Sequence, residues 1–321
     1  MPLNSALYEP HAEMRADRYL ITADQYTAYQ RDGFLIVRQL VPRSDALRLR
    51  ERSMAIHSGE VALPKKTKTA MDSLDRIHML HRCDQVSEEF LLFPRVVDVV
   101  EALVGPDVLA LQSMTFFNRP TTADSAGLQG GQGWHQDSKY IATYPDTLIG
   151  TWLALDEIDE ANGCLWVVPG SNHQPVYPEI SAPDGTPNHA NVHATGAIDI
   201  QAVTQTSHLD DEVNTLSSVA RQYGQESWTA CRVSIGDVIY FHPRLLHRSY
   251  PNTSMDRWRR AFVCHYCNAR SWVPWNHGES WEGETANYKH ILARGETHLA
   301  FAQPAFGTAC AALQAVQAAK L

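Results

Sequence analysis

The chain has 321 residues, 44% hydrophobic and 20% charged, the make-up of an ordinary folded protein. Its formal net charge of −9 argues against a surface built for nucleic acid or for an anionic membrane. Residues 1–9 lack the basic and apolar regions of a signal peptide, and no run is apolar enough to span a bilayer. The six cysteines (Cys83, Cys164, Cys231, Cys264, Cys267 and Cys310) follow no disulfide framework, so a reduced, cytoplasmic protein is expected. The closing Ala319-Lys320-Leu321 is a relaxed form of a peroxisomal address, which would matter in a eukaryote.

Thr22-x-x-Gln25 is a capping-box pattern and Gly33 a stop, which predicts a helix over 22–32. Phe34-Leu35-Ile36-Val37 reads as a buried strand. Ser44 is a candidate N-cap for a helix to about His57, closed by Gly59. Residues 60–75, with Lys65, Lys66 and Lys68, read as an exposed loop. Pro94 and Gly105 bracket a helix with a valine-rich face. From Val108 the character turns to β: strands are expected at 108–117, around His135, at 148–155 and at 164–168. Asn162-Gly163 between the last two is a hairpin signal. Residues 174–230 carry little periodicity and read as a lid or binding insertion. Strands resume at Cys231, with 238–241 and 260–266 following, and an Ala-rich helix is expected from about Ala309. Short strands after an N-terminal helical portion predict one mainly β domain over 1–321. Its core would be a β-sandwich or jelly-roll barrel over about 24–268, with helices outside and a C-terminal extension over 269–321.

Within that framework the chemistry centres on Gly133-Trp134-His135-Gln136-Asp137-Ser138. On a strand, His135 and Asp137 share a face. A second histidine, His247, lies far downstream, and two histidines with one carboxylate form the facial set of non-haem Fe(II) oxygenases. His242 is an alternative to His247 if the register differs. An HxD pair alone is common; a guanidinium able to grip a distal carboxylate makes the set more specific. Arg259 is the first candidate for holding 2-oxoglutarate, and Arg257 competes with it, since one residue in the turn would exchange them. Cys264-x-x-Cys267 with His265 lacks the second pair of a zinc site and reads as a core strand. His173, His189, His193 and His208 read as solvated loop residues.

Together, Gly133-Trp134-His135-Gln136-Asp137, Asn162-Gly163-Cys164-Leu165-Trp166-Val167-Val168-Pro169-Gly170-Ser171, His247-x-Ser249-x-x-Asn252 and Arg259-Arg260-Ala261 resemble the phytanoyl-CoA dioxygenase family, in the family's order and over about residues 24–268. The resemblance implies an Fe(II)- and 2-oxoglutarate-dependent dioxygenase on a double-stranded β-helix, with ascorbate as a supporting reductant. It implies iron at His135, Asp137 and His247, and 2-oxoglutarate contacts from Arg259 and Ser249. Gln112, Met114 and Trp152 would border the cosubstrate, and Arg76 stands where relatives carry a lysine. The gap from His247 to Arg259 is one residue longer than usual, which keeps Arg257 in play. Asp137 argues against halogenation, because halogenating relatives lack that carboxylate; hydroxylation of a small molecule is the default. Trp134, Tyr140 and Trp152 would shape the substrate pocket. The competing readings are a non-catalytic metabolite- or 2-oxoglutarate-binding barrel, and a cupin-like hydrolase or isomerase that needs no O2.

Overall fold

The computed structural model describes residues 15–62, 76–121, 131–177, 215–273 and 290–295. The chain enters through helix α1 (Ala23–Asp32). Thr22 accepts from the backbone N–H of Gln25 while the Gln25 side chain accepts from that of Thr22, and Gly33 closes the helix in the left-handed conformation. Strand β1 (Phe34–Val37) leads to α2 (Arg43–His57), then to β2 (Arg76–His78), α3 (Gln85–Leu91) and α4 (Pro94–Val104). The central strands are β3 (Val108–Asn118), β4 (Gln132–His135), β5 (Ile149–Ala154) and β6 (Leu165–Val167). Helix α5 (Thr215–Gln222) precedes β7 (Thr229–Cys231), β8 (Val238–Phe241), β9 (His247–Ser249), β10 (Arg259–Asn268) and β11 (Ile291–Arg294).

Two antiparallel sheets result. The larger runs β1-β8-β5-β10-β3-β11, with β2 also paired to β3, and the smaller runs β4-β9-β6-β7. Side-chain alternation divides the large sheet between two cores. Leu153, Tyr240, Phe262 and Cys264 face α1–α4, meeting Tyr29, Leu49, Phe90 and Val97. Trp152, Ile239, Phe241, Ala261 and Val263 point the other way, towards Leu165, Val167 and Cys231 of the small sheet. A bulge in the β3–β10 pairing, where His265 and Tyr266 face Gln112 and Ala110, skips Leu111. Even-numbered β3 residues therefore face the helices before the bulge (Val108, Ala110) and the interior after it (Gln112, Met114).

This is the expected β-sandwich with helices packed outside. The Asn162-Gly163 turn departs from the hairpin reading: β5 lies in the large sheet and β6 in the small one, so the turn crosses between sheets. Asn162 anchors that crossover by donating to the carbonyls of Glu157 and Trp258, and a Cβ on Gly163 (φ 89°) would meet the Tyr250 carbonyl. The second helix starts two residues early, after Pro42 rather than Ser44, and ends at His57 as expected. The edge strands β2 and β11, three and four residues long, are too short for periodicity to reveal. Most of the 174–230 insertion, the lysine-bearing loop and the Ala-rich C-terminal helix fall outside the described residues. The insertion's far end is α5, whose Leu216 and Ala220 pack on Trp134, Val168 and Leu246.

Candidate active site

Between the two sheets lies a cavity open to solvent. On the small sheet His135 and His247 are direct cross-strand partners, so their rings emerge side by side, 4.0 Å between centroids. Each ring is oriented by its own backbone: Nδ1–H of His135 donates to the Gly133 carbonyl at 2.8 Å, and Nδ1–H of His247 to the Leu245 carbonyl at 2.9 Å. Because a carbonyl only accepts, both rings keep Nε2 as the lone-pair atom. The Gln132 amide nitrogen, 3.0 Å from His135 Nε2, donates into that lone pair.

Asp137 does not extend the strand as the sequence spacing suggested. β4 stops at His135, and a single 3₁₀ turn over Asp137–Lys139 swings the carboxylate back under the imidazoles. Its Oδ1 lies 3.6 Å from His135 Nε2 and 3.7 Å from His247 Nε2. The three ligand atoms all fall within 4.8 Å of one another, and among the described residues this is the grouping able to hold a metal. Charge states suit that role. Burial, reinforced by His247, pushes the His135 pKa down to about 3, so the ring is a neutral donor at physiological pH. Burial opposes ionisation of Asp137, yet His247, His265 and His135 together outweigh it and hold the carboxyl below the usual carboxylate range. Two imidazole nitrogens and one carboxylate, converging in a pocket, fit a divalent iron with open positions.

The opposite wall belongs to the large sheet. Arg259, at the start of β10 and 1% exposed, lies in the cavity wall and donates from Nη2 to Ser249 Oγ at 3.2 Å. Arg257 is elsewhere: its guanidinium forms two 2.8 Å bonds to Asp159 at the surface. Arg260 likewise pairs with Asp156. Of the two arginines, Arg259 therefore stands in the cavity wall and Arg257 does not. Arg76, Gln112, Met114 and Trp152 all line the cavity, and Arg76 and Arg259 both lie over the ring of Phe116, at 5.4 and 5.5 Å. Burial, with the Arg76 charge acting in the same direction, pulls the Arg259 pKa down to about 10, which leaves it cationic at neutral pH.

The structure also places Trp134, His242 and His265. Trp134 does not shape the pocket: its neighbour His135 faces inward, so Trp134 faces outward and stacks edge-on with Trp228 at 4.8 Å. His242 is no alternative ligand; its ring lies 6.3 Å from Tyr29, and its Nδ1 accepts from the Arg244 backbone N–H. His265 does more than fill a core strand. It lines the cavity, and its Nε2–H donates to Asp137 Oδ2 at 2.9 Å. The sequence held a signal for this, since His265 is six residues past Arg259 and shares its face of the strand. Cys264 and Cys267 are buried in separate apolar clusters, consistent with core positions. Phe241 completes the wall, its ring 4.9 Å from that of His247. It lies against Gly150, where a Cβ would come within 2.1 Å of it.

Comparison with known proteins agrees with this geometry. The family model for phytanoyl-CoA dioxygenase (PhyH) matches residues 29–261. A probable phytanoyl-CoA dioxygenase of Caenorhabditis elegans is 29% identical over 78% of this chain and 76% of its own length. The human peroxisomal phytanoyl-CoA dioxygenase is 25% identical over 83% of this chain and 75% of its own length. Among solved structures, EctD from S. alaskensis with 2-oxoglutarate and 5-hydroxyectoine superposes with a TM-score of 0.54 at 19% identity, covering 81% of this chain and 80% of that one. The epimerase SnoN, in complex with Fe3+, alpha ketoglutarate and nogalamycin RO, superposes at 0.53 with 15% identity, covering 77% and 84%. The chain therefore belongs to the phytanoyl-CoA dioxygenase family and is an iron- and 2-oxoglutarate-dependent dioxygenase.

Proposed function

We propose that the protein hydroxylates an unactivated C–H bond of a small-molecule metabolite, using His135, Asp137 and His247 as iron ligands and Arg259 with Ser249 as the seat of the distal carboxylate of 2-oxoglutarate. One observation carries this reading: a triad of two imidazoles and a carboxylate opens into the same cavity as a buried guanidinium. When bound, the iron and 2-oxoglutarate supply the oxidative chemistry, in which decarboxylation to succinate and CO2 accompanies oxygen insertion. The chain's own residues bind and orient. Arg259 and Ser249 fix one end of the cosubstrate by charge-assisted hydrogen bonding. Met114, Trp152 and Phe116 form apolar walls around it, and Gln112 and Arg76 border it. Tyr140, Ile141 and Leu165 line the remaining space, where the substrate would exclude water from the reacting centre. The net charge of −9 favours a substrate without a polyphosphate group. We further propose a cytoplasmic location; among the described residues no helix is long and apolar enough to cross a membrane.

The test is succinate formation from 2-oxoglutarate by purified protein with Fe(II), ascorbate and O2, beside Asp137→Ala. Metal-dependent succinate that vanishes in the variant is the expected result. Binding of 2-oxoglutarate without any turnover, across a panel of candidate substrates, would favour a metabolite-binding barrel instead.

A further inference from the structure

The Asp137 carboxylate is divided between two tasks. Oδ1 faces both imidazole Nε2 atoms, while Oδ2 accepts a hydrogen bond from His265 Nε2 at 2.9 Å. The other ring nitrogen of His265 is also engaged: the Gln112 side-chain amide donates to Nδ1 at 2.8 Å. An amide N–H can only donate, so Nδ1 must be the acceptor and the ring proton must sit on Nε2, aimed at the carboxylate. Gln112 and His265 are cross-strand partners beside the β3–β10 bulge, and both are buried, at 4% and 3% exposure. The Phe241 ring stands edge-on to that of His265 at 6.2 Å and limits its rotation.

We propose that His265 is a positioning residue for the iron site, set in its tautomer by Gln112, that holds Asp137 to one-oxygen ligation. This rests on the assignment of His135, Asp137 and His247 as metal ligands. Asp137 lies in a one-turn 3₁₀ segment rather than in the sheet, so its side chain lacks the support that strand pairing gives His135 and His247. A hydrogen bond reaching from the large sheet replaces that support. With Oδ2 tied back, the carboxylate offers one oxygen and leaves the remaining positions to the cosubstrate and O2. Released, it is able to rotate and offer both oxygens, closing a position that the reaction requires. Outer partners of this kind typically change metal affinity by about 10- to 100-fold when removed.

The experiment compares wild type with His265→Leu, His265→Gln and Gln112→Leu. Anaerobic calorimetry is run with Fe(II) alone, followed by the charge-transfer absorbance that appears when 2-oxoglutarate chelates the bound iron. His265→Leu is expected to weaken Fe(II) binding about tenfold or more and to shift or diminish the absorbance. His265→Gln, whose amide N–H can reach Oδ2, is expected to restore both to near wild type. Gln112→Leu, which frees the ring tautomer, is expected to fall between them, and it tests the relay even where His265→Leu fails to fold. Wild-type affinity and absorbance in folded His265→Leu, or in Gln112→Leu should His265→Leu not fold, would overturn the inference. Failure of wild type itself to bind Fe(II), or unchanged binding in Asp137→Ala, would instead overturn the ligand assignment.

Discussion

The two sheets share one cavity but are built in opposite ways. In the large sheet β3 and β10 run to 11 and 10 residues, and side chains are buried on both faces, by α1–α4 on one side and the small sheet on the other. In the small sheet no strand exceeds four residues, yet it carries both histidines of the triad. Its ligands are fixed less by ladder length than by local devices: ring-to-carbonyl bonds two residues back, one 3₁₀ turn, and a histidine reaching across from the other sheet. The comparison teaches that mechanical support and chemistry need not come from the same layer. The large sheet supplies the frame and the cation, and the small one supplies the ligands.

That division is open to test. The largest effect is expected from Asp137→Ala, which should reduce metal-dependent succinate formation to background while the cooperative melt survives; a succinate assay checks the first and circular dichroism on the same sample the second. Trp134→Ala removes an outward-facing side chain of the small sheet buried against Trp228, and should cost about 3–5 kcal/mol in urea unfolding. In the folded fraction, its KM for 2-oxoglutarate should match wild type, because Trp134 is not in the cavity wall. Arg259→Ala should show the reverse pattern. Removing the buried partner of a carboxylate costs about 3 kcal/mol, which corresponds to roughly a hundredfold rise in the KM for 2-oxoglutarate. The smallest change belongs to Arg257→Ala, whose half-exposed pair with Asp159 is worth about 0.2–1 kcal/mol. A KM for 2-oxoglutarate altered by Arg257→Ala would break the comparison at its most specific point.

The sequence carried this architecture unevenly, for physical reasons. Helix ends were legible because capping is local chemistry: Thr22, Gln25 and Gly33 bond within a few residues of one another. The triad was legible because His135 and Asp137 are near neighbours and the wider motif resembles a known family. What could not be read was long-range placement. Asn162-Gly163 has hairpin chemistry whichever sheet the next strand joins, and here it joins the other one. Arg257 and Arg259 are two residues apart; strand alternation gives them the same parity, and only the start of β10 at Arg259 separates surface from cavity. His265 shares a strand face with Arg259, which places it at the cavity, but its bond to Asp137 depends on a bulged register with Gln112 and on Asp137 leaving its strand, neither of which has a local signature.

Gly150 has no side chain to offer and sits on β5, away from the ligand-bearing strands. Even so, the space above its Cα is where the Phe241 ring rests, and that ring borders both His247 and His265. A random-mutagenesis screen for lost activity should therefore recover Gly150→Ala alongside the iron ligands. The set of positions intolerant to change then extends one layer outward from the chemistry, to a residue whose whole contribution is the volume it leaves to its neighbour.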